Sequence, residues 1–339
     1  MKIETRLLKK GSLEKLVLDL HTAGKRILAP IKNDGKADFA EITGLNQMTE
    51  DYIATARSAK SVVFPKAETL FEADVTRDNV ALTDRDLDKL PDTILLGTRP
   101  CDAAGLESLG SIFLWDTVDD VYAARRKKAT LISISCNQCD AKCFCTSVNG
   151  GPGGTAGSDI LLTRMENGDF LAEIITEKGK ALAEQYAPLF EPAPEINKEK
   201  HLAKVPVVFD VKELVKKIQS GFDSPAWMQQ SLRCIGCGAC AFVCPTCACF
   251  DIQDIRKGKH ASRKRSWDSC GFSMFTLHAS GHNPRTTQDS RWRQRVMHKF
   301  AYMPERQNTL GCTGCGRCGR SCSVDMNLKE HLIHHCKAL

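Results

Sequence analysis

The arrangement of the cysteines constrains this chain more than any other feature of its sequence. Seventeen cysteines occur in 339 residues, and eight of them form two copies of the spacing C-x2-C-x2-C-x3-C. The first copy runs from Cys234 to Cys244 and the second from Cys312 to Cys322. An odd cysteine count in a chain without an export signal argues against a disulfide framework. Cysteines grouped two and three residues apart indicate metal ligands instead.

The repeated spacing is the ligand pattern of ferredoxins that hold two [4Fe–4S] clusters. Three thiolates in a tight turn can bind three corners of a cubane, and the glycines inside both copies allow the backbone to approach it. The fourth cysteine lies about one helical turn further on and points toward the other cluster. The sequence therefore predicts two crossed ligand sets: Cys234, Cys237, Cys240 and Cys322 for one cluster, and Cys312, Cys315, Cys318 and Cys244 for the other.

Zinc is the alternative metal, because four thiolates also form a structural zinc site. Zinc sites usually use pairs of cysteines, whereas both copies here are complete ferredoxin quartets, so the pattern favours iron and sulfide. Cys247 and Cys249 closely follow the first copy. They are interpreted either as buried thiols packed against a cluster or as alternative ligands. Cys270 and Cys336 are interpreted as single structural thiols.

Apolar periodicity divides the chain into two domains, residues 1–204 and 205–339. The first reads as an α/β (or α+β) domain, with a helix at 12–23 and strands at 25–31, 61–64, 93–96, 130–134 and 159–163. Residues 188–200 read as a surface linker. After it, an amphipathic helix at 211–218 leads into cysteine motifs joined by basic sequence that reads as helical. The second domain is therefore predicted to be an α-helical, ferredoxin-like domain with two [4Fe–4S] clusters.

Two of the predicted strands are each followed by a cysteine, Cys101 and Cys136. If these strands are neighbours in one sheet, their ends bring the two thiols to the edge where open α/β sheets usually place sites. A glycine-rich loop, 150–157, lies nearby but lacks the order G-x-G-x-x-G between a strand and a helix. It is interpreted as a loop beside the central cysteines, those at positions 101 and 136–145, with flavin or phosphate binding as the alternative.

Composition is that of a soluble globular protein, with 42% hydrophobic and 26% charged residues. The start of the chain lacks the unbroken apolar core of a signal peptide, and no apolar run reaches the length of a membrane helix. A cytoplasmic location is therefore expected. The formal charge of +6 counts every cysteine as neutral. Since an oxidised [4Fe–4S] centre on four thiolates carries about −2, two clusters would remove most of this excess.

The insert between the two cysteine copies is strongly basic. Trp267 and Trp292 would be the stacking partners if this sequence bound nucleic acid. We favour a solvated surface, charge compensation for anionic clusters, or a docking surface for an acidic partner. The basic residues in question are Arg256, Lys257, Lys259, Arg263, Lys264, Arg265, Arg291, Arg293, Arg295, His298 and Lys299.

Several segments carry a resemblance to a known family, and together they span most of the chain: 97–102 (GTRPCD), 136–145 (CNQCDAKCFC), 267–270 (WDSC), 279–285 (ASGHNPR) and 291–300 (RWRQRVMHKF). They resemble the iron–sulfur beta subunits of sulfhydrogenase-type soluble hydrogenases. The corresponding iron–sulfur subunit of anaerobic sulfite reductase is related to these proteins, and so is the flavin-oxidoreductase iron–sulfur subunit that occurs with heterodisulfide reductase.

The resemblance implies a role in a multisubunit oxidoreductase of anaerobic metabolism. Such a protein relays electrons from or to an NAD(P)-linked flavin subunit, with a catalytic subunit of hydrogenase, heterodisulfide reductase or sulfite reductase type at the other end. It is expected to have no catalytic residues, no cofactor beyond its clusters, and neither nucleic acid nor a membrane as partner. The alternatives are a self-contained flavin-dependent oxidoreductase and a zinc-binding, nucleic-acid-binding protein.

The family pattern also includes the central cysteines. The resemblance implies a third [4Fe–4S] cluster, with Cys139 as an alternative ligand and with zinc or free thiols as the other possibilities. The four cysteines that match the pattern are Cys101, Cys136, Cys143 and Cys145.

Overall fold

The computed structural model describes residues 3–338 and has a mixed α/β fold. Its strands are β1 (Glu4–Leu8), β2 (Arg26–Asn33), β3 (Lys36–Glu41), β4 (Ala67–Val75), β5 (Val80–Asp84), β6 (Thr93–Thr98), β7 (Ala129–Ile134), β8 (Ile160–Arg164), β9 (Phe170–Ile174), β10 (Phe190–Pro192), β11 (Phe250–Lys257) and β12 (His260–Trp267). Its helices are α1 (Lys10–Thr22), α2 (Pro100–Phe113), α3 (Asp120–Lys128), α4 (Glu177–Gln185), α5 (Val211–Ser220), α6 (Ala226–Ser231), α7 (Ala239–Phe242), α8 (Gln288–Met297), α9 (Met303–Gln307), α10 (Arg317–Arg320) and α11 (Leu328–Ala338). A π-helical turn, His298–Tyr302, joins α8 to α9.

The larger sheet has eight strands in the order β10-β1-β9-β8-β7-β6-β2-β3. The four central strands β2, β6, β7 and β8 are parallel, and the outer pairings are antiparallel. Successive side chains of a strand point to opposite faces. Ile94 and Leu96 accordingly pack in one core with α1, while Leu95 packs in another with α2 and α3. Because helices cover both faces, the central strands are continuously apolar, which made them recognisable in the sequence.

The smaller sheet joins the two predicted domains. It is antiparallel, in the order β11-β12-β4-β5, so a hairpin from beyond residue 205 pairs with a hairpin from the N-terminal region. Arg265 of β12 lies opposite Glu68 of β4, and their side chains form a buried ion pair with Nη2–Oε1 at 2.7 Å. The division near residue 205 stays a prediction, and this pairing shows that the two parts share a sheet.

Three predictions of local structure are corrected by the structure. The basic sequence predicted to be helical contains the hairpin β11–β12, which turns at Gly258 with a φ of +63°. Residues 61–64 form no strand, because a 3-10 turn, Ala59–Val62, occupies this position. The predicted linker 188–200 contributes β10, which pairs with β1 at the sheet edge.

The helices of the C-terminal part surround a further apolar core, to which Phe144 and Val148 of the N-terminal part also contribute. Buried side chains of α5, α6, α8, the π-helical turn and α11 meet there, among them Leu214, Trp227, Val296, Phe300 and Leu332. Cys234, Cys312, Cys318 and Cys322 pack against the same core. Within residues 3–338, no helix combines the length and the hydropathy needed to cross a membrane.

Candidate metal centres

The two copies of the ferredoxin spacing have the same backbone conformation. Gly236 and Gly238 have φ values of +68° and +72°, and Gly314 and Gly316 have +64° and +72°. Each turn leads into a short helix, α7 in the first copy and α10 in the second, and the two helices pack against each other. Left-handed backbone of this kind favours glycine. The turns that these glycines permit present the first three cysteines of each copy.

The first predicted ligand set lines a single cavity beside α8. Cys234, Cys237 and Cys240 of the first copy border it together with Cys322 of the second, and Cys318 also borders it. Two hydrogen-bond donors reach the sulfurs from outside the motif. Gln288 Nε2 donates to Cys234 Sγ at 2.9 Å, and the backbone N–H of Met326 donates to Cys322 Sγ at 3.2 Å. The structure therefore brings these four cysteines together from both copies.

The second predicted set forms around Cys244. Lys299 Nζ donates to Cys244 Sγ at 3.3 Å and to the carbonyl of Gly311 at 2.6 Å, which holds Cys244 beside the start of the second copy. Burial, together with the charges of Cys244 and Cys315, raises the pKa of Cys312 to about 12, against the opposing charge of Lys299. Burial raises the pKa of Cys318 as well, with contributions from Cys315, Cys312 and Cys244. The four thiols therefore lie close enough for their charges to act on one another, and Lys299 supplies a positive charge beside them.

The four central cysteines also converge. Strands β6 and β7 are adjacent and parallel; Cys101 lies in the first turn of α2 after β6, and Cys136 lies just after β7. Burial, together with the neighbouring charges of Cys136 and Cys143, raises the pKa of Cys145 to about 12. Burial likewise raises the pKa of Cys136 to about 11, despite the opposing effect of Arg99.

Cys139 is placed differently from these four. Its thiol donates to the carbonyl oxygen of Lys204 at 3.4 Å. Its charge nevertheless contributes to the raised pKa of Cys136, so it lies at the border of the central group.

The central cysteines lie directly against the second ferredoxin copy. The backbone N–H of Phe144 donates to the carbonyl of Gly314 at 3.0 Å. A buried ion pair links Arg317 of α10 to Asp102 of α2, with Nη2–Oδ2 at 2.7 Å. Arg320 of α10 donates to Cys143 Sγ at 3.2 Å. The central set and the second set are therefore neighbours.

Two groups can be distinguished among the basic residues of the insert, apart from the half-buried Arg291, Arg293 and His298. Those of the hairpin β11–β12 lie mostly at the surface, apart from Arg265 in its ion pair with Glu68. Arg295 and Lys299 are buried among the cysteines, and Arg295 Nη1 lies 3.6 Å from Cys247 Sγ. The hairpin residues therefore form a solvated surface. Arg295 and Lys299 are placed to compensate the negative charge of the cysteine thiolates.

Two residues at this site were missed by the sequence reasoning. Lys60, from the N-terminal region, is buried and donates from Nζ to the carbonyls of Ala241 and Cys247 at 3.1 and 3.0 Å. Gln288 is the donor to Cys234. Neither belongs to a cysteine motif, and nothing in their local sequence indicates a contact with one.

The donor sets fit iron–sulfur clusters. Thiolates are the usual ligands of [4Fe–4S] clusters, and the first set surrounds open space that Gln288 and Met326 border with N–H donors to sulfur. In the described part of the chain, no three His, Cys, Asp or Glu side chains converge on one point as the ligands of a single ion would.

Comparisons with known proteins agree with this assignment. Residues 233–326 match the family model of a 4Fe-4S dicluster domain. The chain is 29% identical over 305 residues to the sulfhydrogenase 2 subunit beta of Pyrococcus furiosus, and the match covers 88% of each chain. The resemblance found in the sequence is thereby confirmed. Together the domain and the relative support an iron–sulfur, electron-transferring subunit of an oxidoreductase.

Proposed function

We propose that this chain relays single electrons through [4Fe–4S] clusters bound by the two crossed cysteine sets. The observation that carries the proposal is the shared cavity of Cys234, Cys237, Cys240 and Cys322. Two separate zinc sites, one in each motif, would give no reason for Cys322 to join the first copy. A ferredoxin arrangement requires this exchange of the fourth cysteine.

A third cluster, bound by Cys101, Cys136, Cys143 and Cys145, is part of the proposal. The contact between Phe144 and Gly314 puts the central set beside the second set. The packing of α7 on α10, and the position of Cys318 at the border of the first cavity, put the second set beside the first. The three sets thus follow one another in space, which is the arrangement that a relay requires.

The clusters supply the one-electron redox chemistry when they are bound, and the chain sets their environment. Gln288 and the Met326 N–H donate hydrogen bonds to sulfur. Lys299 and Arg295 supply positive charge from inside the protein. The apolar core behind Cys234, Cys312, Cys318 and Cys322 keeps water away from one side. Hydrogen bonds to sulfur, charge and burial are the means by which a protein tunes cluster potentials.

Partner subunits are proposed at the ends of this series. At the end formed by the first set, Cys237 is exposed, and the nearby apolar side chains of Met228, Leu232 and Ile235 are largely exposed as well. Exposed apolar groups of this kind are typical of protein contacts. We propose two partners, an NAD(P)-linked flavin subunit at one end and, at the other, a catalytic subunit of hydrogenase, heterodisulfide reductase or sulfite reductase type. The resemblance is the basis for these classes.

Reductive titration of the anaerobically purified chain tests the relay. We expect the chain to accept about three electrons, one for each cluster, and to return them to an oxidised viologen dye. NADH alone should reduce it only after a flavin subunit is added. Stoichiometric flavin in the purified chain, with direct reduction by NADH, would favour a self-contained oxidoreductase instead. A chain that accepts no electrons would contradict the proposal.

A further inference from the structure

Helix α10 carries two arginines that reach from the second ferredoxin copy to the central cysteines. Arg317 and Arg320 are three residues apart and are therefore neighbours on one side of the helix. Each forms an ion pair with a carboxylate of the N-terminal part, Arg317 with Asp102 of α2 and Arg320 with Asp140, and the Nη2–Oδ distance is 2.7 Å in both. None of these four residues is a proposed cluster ligand.

Arg320 contacts both ligand sets directly. Its Nη2 donates to Cys143 Sγ of the central set at 3.2 Å, and its Nη1 donates to the carbonyl of Cys315 in the second set at 2.7 Å. Nε and Nη2 also donate to the two carboxylate oxygens of Asp140 at 2.7 Å. Oδ1 of Asp140 accepts from the backbone N–H groups of Lys142 and Cys143 at 2.9 and 3.2 Å. Asp140 therefore fixes both the turn that carries Cys143 and the guanidinium that meets its sulfur.

Arg317 lies at the same junction but is buried, with 2% of its side chain exposed. Its Nε donates to the carbonyl of Thr55 at 2.8 Å, and its Nη2 donates to Thr55 Oγ1 at 2.8 Å and to Asp102. Among the residues that the structure describes, none offers an acceptor to Nη1. Asp102 directly follows Cys101, and Arg317 is two residues beyond Cys315, so this unpaired N–H group lies where the two sets meet. A buried donor of this kind is unfavourable without an acceptor.

The charges at the junction act across both sets. Burial alone would lower the pKa of either arginine, but the neighbouring carboxylates and thiols outweigh burial and raise both pKa values. For each arginine these neighbours include Cys315 of the second set and one cysteine of the central set. A [4Fe–4S] cluster on four thiolates carries about −2 when oxidised and gains a further negative charge on reduction. Two adjacent clusters therefore disfavour each other's reduction unless positive charge lies between them.

We propose that Arg317 and Arg320 are cations shared by the second and the central clusters, and that each of them raises the reduction potentials of both. Arg320 acts through its charge and its hydrogen bond to Cys143 Sγ. Arg317 acts from inside the protein, with Nη1 donating to a cluster sulfur. Asp102 and Asp140 orient the two guanidinium groups. Nearby charge and hydrogen bonds to sulfur are the means by which a protein tunes such potentials.

This inference rests on the proposed relay and goes beyond it. It assigns control of one step, the transfer between the second and the central clusters, to residues that are ligands of neither cluster.

Opposite substitutions within one ion pair test the proposal, because loss of a merely structural pair would not shift potentials in opposite directions. The complete protein is purified anaerobically, and its potentials are measured by redox titration followed by electron paramagnetic resonance. The signals are first assigned through their loss in Cys322→Ala, Cys244→Ala and Cys136→Ala. Arg320→Gln should lower the potentials of the second and central clusters, and Asp140→Asn should raise them. Because this pair is partly exposed, we expect each shift to be about threefold in the equilibrium constant for reduction, or about 30 mV.

A second set of variants covers the buried pair. Asp102→Asn keeps the shape of the side chain and should raise the same two potentials by about tenfold, or 59 mV, because a buried charge is screened less. Arg320→Lys keeps the charge but not the planar fork and should recover part of the loss seen in Arg320→Gln. The potential of the first cluster should change least, because neither arginine lines its cavity.

The hairpin β11–β12 supplies a matched control. Arg263 forms a two-point ion pair with Asp254 there, with Nε–Oδ1 at 2.8 Å and Nη2–Oδ2 at 2.7 Å. This pair contacts none of the three cysteine sets, so Arg263→Gln should leave all three potentials unchanged.

Two results would overturn the proposal. One is a shift of the same sign, or no shift, in Arg320→Gln and Asp140→Asn. The other is a shift confined to one of the two clusters. Iron content separates these results from failure of the relay. A chain that holds no clusters would contradict the relay and this inference together, whereas a fully loaded chain with unresponsive potentials would contradict the shared cations alone. If Arg320→Gln lost iron, Arg320→Lys and Asp102→Asn would decide.

Discussion

Lys299 Nζ lies 3.3 Å from Cys244 Sγ, and both groups are buried. Lys299 comes from the π-helical turn after α8, whereas Cys244 ends the first ferredoxin copy. The sulfur charge of Cys244 raises the pKa of Lys299, despite burial and the nearby charge of Arg295. A fixed positive charge therefore lies beside a proposed cluster ligand.

Removal of this charge should lower a cluster potential. In Lys299→Met, the extra negative charge of the reduced cluster loses the cation that contacts Cys244, so we expect one reduction potential to fall by about 60 mV, a tenfold change for a one-electron couple. Lys299→Arg should keep most of the potential. Lys257→Met, on the exposed strand β11, is the matched control. Redox titration followed by electron paramagnetic resonance measures the change, and equal potentials in Lys299→Met and Lys257→Met would contradict it.

The crossed ligand sets predict which cluster each cysteine supports. Cys322→Ala should disturb the cluster bound by Cys234, Cys237 and Cys240, because these four line one cavity. Cys244→Ala should disturb the other cluster of the dicluster domain. Iron content and the spectrum of each reduced variant identify the affected centre. If Cys322→Ala instead disturbed only the other cluster, and Cys244→Ala only the cluster of Cys234, Cys237 and Cys240, each motif would hold its own cluster.

Gly314 tests the contact between the second copy and the central cysteines. Its φ is +64°, and an added Cβ would lie 2.5 Å from backbone atoms of Phe144 and Cys145. Gly314→Ala should therefore displace this backbone and lower the content of the second and central clusters. Gly258 has nearly the same φ, +63°, but no atom lies within 4 Å of its Cβ position, so Gly258→Ala should lower the free energy of unfolding by only about 1–2 kcal/mol, through its left-handed backbone alone. Equal iron and sulfide content in the two variants would contradict this prediction.

His335 should make stability depend on pH. Its ring is buried against Trp227, with the ring centroids 4.3 Å apart, and burial lowers its pKa to about 4 from the ordinary 6.5. Between these values the unfolded chain binds a proton that the folded chain does not. Stability should therefore fall as the pH falls from 6.5 toward 4, by about 1.4 kcal/mol for each pH unit.

Denaturant unfolding at pH 5 and pH 7, followed by tryptophan fluorescence, measures this dependence. His331 has its pKa lowered in the same way and contributes its own share. His335→Phe should thus remove about half of the slope that the two histidines produce. His334→Gln, at an exposed position of the same helix, is the control. An unchanged slope in His335→Phe would show that His335 is not buried as a neutral ring.

The sequence predicted local structure correctly where the determining residues lie within one short segment. The conformation of the two cysteine copies depends on glycines inside the motifs themselves, and the four glycines all have left-handed backbone. Strands β6 and β7 are short apolar runs because both of their faces are covered by helices. Their adjacency in the sheet, which the sequence alone left as a condition, brings Cys101 and Cys136 to one edge.

Sequence-based predictions were wrong or incomplete where segments that are far apart in the chain contact each other. In β12 the basic residues outnumber the apolar ones, and every residue of β11 is exposed, so neither strand shows the alternation of buried apolar and exposed polar residues that indicates a strand. Strand β12 pairs with β4, and this pairing allows the buried Arg265 guanidinium to donate a hydrogen bond to the carboxylate of Glu68, a residue almost two hundred positions away. Lys60 reaches the carbonyls of Ala241 and Cys247 across a similar separation. Such contacts depend on tertiary structure, and no local pattern encodes them.

The content of iron, zinc and acid-labile sulfide per chain, measured on anaerobically purified protein, tests the proposed relay most directly. We predict about twelve iron and twelve sulfide with negligible zinc, as three [4Fe–4S] clusters require. About eight of each would limit the clusters to the dicluster domain and leave the central cysteines without one. Zinc without sulfide would contradict the relay as a whole.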